Sequence, residues 1–128
     1  MSFITLVEAK GYLRVDSDYD DNLIAALLTA SEALCCDIAK LSEDEWYEIC
    51  AEDEEEEQGI TPTLALSQRR ALMRAAILYT LAYLYEHREE ADHHDLLVTL
   101  RNILFAMRED KLLSITSRLK PEACKSLD

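Results

Sequence analysis

The chain has 128 residues, enough for one domain around a single core. About half of them (49%) are apolar, yet only two glycines and two prolines occur, too few for the tight turns of a β-rich fold. A formal charge of −13 opposes direct binding to nucleic-acid phosphates and keeps the protein soluble until a partner arrives.

Leu, Ala and Glu dominate, and all three favour helix. The expectation is an all-α protein: a compact bundle of about four to five helices over residues 1–108, with an acidic loop or short helix inserted. Residues 109–128 form a C-terminal tail. Four cysteines, Cys35, Cys36, Cys50 and Cys124, contain no C-x-x-C pair. They read as buried or half-buried thiols of a reducing compartment. The N-terminus carries no basic, apolar signal pattern, and the apolar run near residues 75–85 is too short to span a membrane. A soluble protein made in the cytoplasm, without membrane contact, is expected.

"TLVEAKGYL" opens the first helix, with Thr5 as N-cap and Glu8 completing a capping box. Leu6, Ala9, Tyr12 and Leu13 share one face, and the helix ends near Arg14. "VDSDYDDNL" then supplies Asp16, Asp18, Asp20 and Asp21. Counted as an EF-hand from Asp16, the loop lacks the glycine at its sixth position, where Asp21 stands, and the glutamate at its twelfth, where Leu27 stands. The aspartates instead suit a helix start, with Asp18 as cap and Asp20 and Asp21 in the first turn.

The second helix spans about Tyr19 to Lys40, with Leu23, Ile24, Leu27, Leu28, Ser31, Leu34, Cys35 and Ile38 as its apolar stripe. Ser42 and Glu45 form a second capping box for a short helix whose apolar face is Trp46, Ile49 and Cys50. "EDEEEE" follows: Glu52, Asp53, Glu54, Glu55, Glu56 and Glu57. Six adjacent like charges repel and favour a solvated or unstructured run. The functional alternative is an acidic surface facing a basic partner. Gly59 and Pro62 close the segment as a loop.

A long helix runs from about Thr63 to Arg88. It starts with Arg69, Arg70 and Arg74 and continues through "AAILYTLAYLY", apolar nearly all round, which belongs at the centre of the bundle. The last main helix is capped by Asp92 or Asp95, with Leu96, Leu100, Ile103, Leu104 and Met107 buried and His93 and His94 on the surface. In the tail, Leu112, Leu113, Ile115 and Leu119 fit either a strand or a weak helix, ended by Pro121, and form a candidate docking segment. No P-loop, dinucleotide fingerprint, nucleophile elbow or H-E-x-x-H occurs. The expectation is a non-enzymatic protein with no catalytic residues, no cofactor and no metal.

Two stretches resemble the head–tail connector proteins of tailed double-stranded-DNA bacteriophages, small helical adaptors often described as DNA-packaging proteins. The first holds Leu6, Glu8, Ala9, Lys10, Tyr12, Leu13, Arg14, Val15 and Asp16, then Asp20, Asp21, Leu23 and Ile24. The second is the apolar central helix closing on Tyr85, Glu86 and Arg88. A shorter match lies around Leu97 to Arg101. The acidic segment Glu43–Glu57 and the tail after Arg108 exceed the family's pattern.

The resemblance implies a structural protein of the virion neck, made in the host bacterial cytoplasm. Its partners would be the portal protein, neighbouring connector subunits and a downstream neck or tail protein. Subunits would close into a homo-oligomeric ring on assembly, the free protein being a monomer, and DNA would pass through without sequence-specific contact. Arg69, Arg70 and Arg74 on one flank and residues 52–57 on the other would then give neighbours complementary charge. The second reading is a non-catalytic acidic interaction module, either a regulator or a DNA mimic.

Overall fold

The computed structural model describes residues 2–89 and 92–107, which hold six helices and no strand. They are α1 (Leu6–Leu13), α2 (Asp21–Ala39), α3 (Glu43–Cys50), α4 (Glu52–Glu57), α5 (Leu64–Glu86) and α6 (residues 94–107). The all-α architecture is as the composition demands. The tail residues Leu112, Leu113, Ile115 and Leu119 lie outside the described residues.

Helices α2 and α5 are the long pair, and each buries a stripe against the other. From α2 come Ile24, Leu28, Ser31, Cys35 and Ala39; from α5 come Met73, Ala76, Ile77, Thr80 and Leu81. Their hydroxyls and thiol enter this interface satisfied. Ser31 donates to the Leu27 carbonyl at 2.7 Å and Thr80 to the Ala76 carbonyl at 2.7 Å. With its own proton committed, Thr80 accepts from the Cys35 thiol at 3.5 Å. Helix α1 packs on both long helices through Ala9, and α6 closes the core with Leu96, Leu100, Leu104 and Met107. By length and mean hydropathy (1.5) α2, residues 21–39, reaches the membrane-spanning range, although it carries Asp21, Glu32 and Asp37. Within the fold it is a core helix that carries the buried Glu32.

The helix starts follow local chemistry. The Thr5 hydroxyl accepts from the Glu8 N–H at 3.1 Å, and Thr63 does the same for Leu66 at 3.2 Å. At α3 both halves of the capping box form: Ser42 Oγ accepts from Glu45 N–H at 3.2 Å, and Glu45 Oε1 from Ser42 N–H at 3.1 Å. The expected Asp18 cap does not form. Asp20 is the N-cap residue of α2 and makes no side-chain cap bond, because its carboxylate takes the Tyr85 hydroxyl at 2.7 Å. Asp21 turns to Lys10, 2.7 Å away on α1. The aspartate cluster therefore links α2 to α5 and to α1.

Three helices end alike. Arg14, Lys40 and Gly59 take left-handed backbone, with φ of 60°, 57° and 70°. In each case the next residue's N–H reaches back five positions: Val15 to Lys10, Leu41 to Cys36 and Ile60 to Glu55. After α1 and α2 that next residue, Val15 or Leu41, packs against the core. Apolar burial there forces arginine and lysine into a conformation that glycine takes at less cost. Tyr12 departs from its expected face: it is exposed, while Leu6 and Leu13 are half-buried.

Two substitutions test this packing by urea denaturation. Ile77→Ala removes a fully buried side chain and is expected to cost about 2–5 kcal/mol. Arg14→Gly relieves the left-handed cap and is expected to gain about 0.5–1 kcal/mol. A loss of stability in Arg14→Gly would contradict the account of the cap.

Candidate functional site: an arginine clamp beneath an acidic helix

The arginines of α5 and the acidic run meet inside one molecule. The expectation that they occupy opposite flanks is corrected by the structure, and the reason is local. Helix α3 ends with unsatisfied carbonyls, and a cation at a helix C-terminus answers both them and the dipole. Arg70 does this: Nε donates to the Ile49 carbonyl at 3.2 Å and Nη2 to the Glu48 carbonyl at 2.9 Å. The remaining edge of the guanidinium meets Glu55 in a two-pronged pair, Nη1 to Oε2 at 2.9 Å and Nη2 to Oε1 at 3.0 Å. Arg70 is 4% exposed, so it offers nothing to a neighbouring subunit.

Arg74 lies one turn further along α5. It bonds Glu52 at 2.9 Å through Nη2 and Glu8 through Nη1, and its guanidinium covers the Phe3 ring at 4.5 Å. Glu8 is thereby the bridge between α1 and α5, so the Thr5 cap operates without its expected glutamate half. Phe3 meets Trp46 edge-on at 6.2 Å. Its position is set by Glu32 on α2, whose carboxylate accepts from the Phe3 N–H at 2.8 Å and the Ser2 hydroxyl at 2.9 Å. Arg69, beside them in sequence, is half-buried and is itself engaged.

The acidic run forms a short helix and is not unstructured, while most of it stays solvated. Two of its residues, Glu52 and Glu55, three positions apart, turn in to Arg74 and Arg70. Asp53, Glu54, Glu56 and Glu57 face solvent, and Glu43, Asp44 and Glu48 extend the exposed acidic face along α3. Between α4 and α5 lies an open groove of about 420 Å³, lined by Pro62, Ala71, Ala75 and Leu78 beside the two arginines. A second, of about 450 Å³, lies between α2 and α3 beside Trp46.

Protonation follows these contacts. The guanidinium of Arg70 holds the Glu55 carboxyl below its ordinary range, and Glu55 in turn raises Arg70. The hydrogen bond to Asp20 raises the Tyr85 phenol. Burial pushes Cys35 and Cys50 up to about 11 and Cys36 to about 12, so all three are thiols, not thiolates, at neutral pH. Among the described residues no group of three or more His, Cys, Asp and Glu side chains is arranged to hold a metal ion. His94 is exposed as expected, but His93 is half-buried, edge-on to Tyr83 at 5.8 Å, and Tyr83 stacks on His87 at 4.2 Å.

Glu8, Glu32 and Phe3 were not singled out as site residues. Glu32 interrupts the apolar stripe of α2 at a buried position, a signal that sequence could have offered. Arg74, the residue that Glu8 and Phe3 share as partner, lies more than 60 residues from either, and no spacing rule reaches that far.

The clamp makes two checkable statements. Glu55 is more acidic folded than unfolded, so its pair with Arg70 contributes fully above the ordinary carboxylate pKa. That contribution disappears as pH falls through the lowered value. In urea melts across pH, Glu55→Gln is expected to be less stable than the parent at pH 7 and to converge with it in acid; a constant difference would contradict the pairing. Second, Cys35, Cys36 and Cys50, followed by peptide mass spectrometry because Cys124 lies outside the described residues, are expected to react with iodoacetamide at pH 7.5 far more slowly in the native protein than in urea, and equal rates would contradict their burial. Compared with family models, curated proteins and solved structures, the chain matches none of them.

Proposed function

We propose that the protein is a non-catalytic connector of a phage or prophage particle, a subunit of the ring that joins the portal of the DNA-filled head to the tail. The observation that carries this reading is where the family-like residues sit. Glu8 and Lys10 of the first stretch bond Arg74 and Asp21, and Asp20 bonds Tyr85 of the second, which Arg88 covers at 4.9 Å. The residues that carry the resemblance thus knit α1, α2 and α5 to one another and do not converge on a pocket. That is the pattern of a scaffold, whose work is to hold outer faces in place for neighbours.

With Arg70 and Arg74 engaged internally, the ring contact draws on other surfaces. Exposed apolar side chains are available at Val7 on α1, Leu64 on α5 and Val98 and Phe105 on α6. The acidic face of α3 and α4 suits a basic patch on portal or tail protein, or the wall of a channel to which DNA does not adhere. The same face favours one second reading, an acidic module that competes with DNA for a basic protein.

Sedimentation separates the two. A connector is expected to travel with portal rings encoded beside it and to be found by mass spectrometry in purified particles. Failure to bind portal together with absence from particles would contradict the proposal. Displacement of duplex DNA from a basic protein, weakening as salt rises, would favour the second reading.

A further inference from the structure

Helix α4 is held differently from every other element described. None of its residues is buried, and all six are carboxylates. Its N-cap, Ala51, supplies no side-chain oxygen. Six residues do not sustain a helix alone, and carboxylates three or four apart destabilise it further. The first-turn carboxylates gain from the helix dipole; Glu56 and Glu57, at the other end, lose by it. What keeps the segment helical and seated is the clamp at Glu55 and Glu52.

We propose that α4 is a spring-loaded strap: two arginines hold it shut against the mutual repulsion of its own carboxylates, and raised ionic strength tightens it while the rest of the bundle is unaffected. The direction follows from exposure. The Arg70–Glu55 pair, with side chains 5% and 19% exposed, is shielded from salt. Asp53, Glu54, Glu56 and Glu57 stand in solvent, where their repulsion is screened readily. Arg74–Glu52, at 33% and 40% exposure, loses some attraction. One partly exposed attraction is outweighed by repulsion among the four outward carboxylates. An ordinary surface salt bridge would weaken with salt; this strap strengthens. When open, it frees both guanidinium groups beside the groove lined by Ala71, Ala75 and Leu78.

Hydrogen exchange of the full chain at pH 7 tests this, with rates referenced to a free peptide of residues 51–61. The reporters are the bonded amides of Glu55, Gln58, Gly59 and Ile60. Between 0.02 M and 0.5 M NaCl their exchange is expected to slow about fivefold, while that of Ile77–Leu81 on α5 stays constant. Glu56→Gln/Glu57→Gln, which touches neither arginine and lies at the end that the dipole opposes, is expected to reproduce the high-salt protection at low salt. Glu55→Gln is expected to leave the strap open in both. Strap exchange that quickens or holds steady with salt, that follows α5, or that ignores the outer substitutions would overturn the proposal.

Discussion

A guanidinium enclosed by a helical bundle must have its N–H groups answered, and Arg70 sets that condition here. Its four hydrogen bonds close the end of α3, seat α4 and fasten both to α5. The acidic helix consequently has a fixed orientation, two carboxylates inward and four outward. Without the clamp nothing apolar would hold it, since α4 buries no residue.

A second chain of contacts depends on the first. Arg74 connects α1 to α4, and Phe3 lies between Arg74 and Trp46. Glu32 secures Phe3 from α2. Charged groups thus organise one side of the molecule, while the α2–α5 core is apolar with satisfied hydroxyls. This division explains a bundle whose negative charge is mostly displayed outward and whose few described cations are largely spent on internal joints.

Much of the fold could be read from local chemistry. Thr5, Ser42 and Thr63 mark helix starts by their own hydroxyls, and the stripes of α2 and α5 are spaced for burial. What escaped depends on distant partners. Asp20 forgoes capping because Tyr85 arrives from 65 residues away. Arg14 and Lys40 adopt left-handed backbone because Val15 and Leu41 must reach the core, whereas only Gly59 announces such a turn by its identity. The acidic run looked unstructured because its repulsion is visible in sequence and its clamp is not. The opposite charges of Arg70, Arg74 and residues 52–57 are legible in the sequence, but not that folding joins them within one chain.

The most direct test is a double-mutant cycle between positions 70 and 55, using Arg70→Met, Glu55→Gln and their combination in urea denaturation at pH 7. A clamp predicts strong coupling, with the second substitution costing little once the first is made. Additive effects, showing that the two side chains do not sense each other, would contradict the central claim.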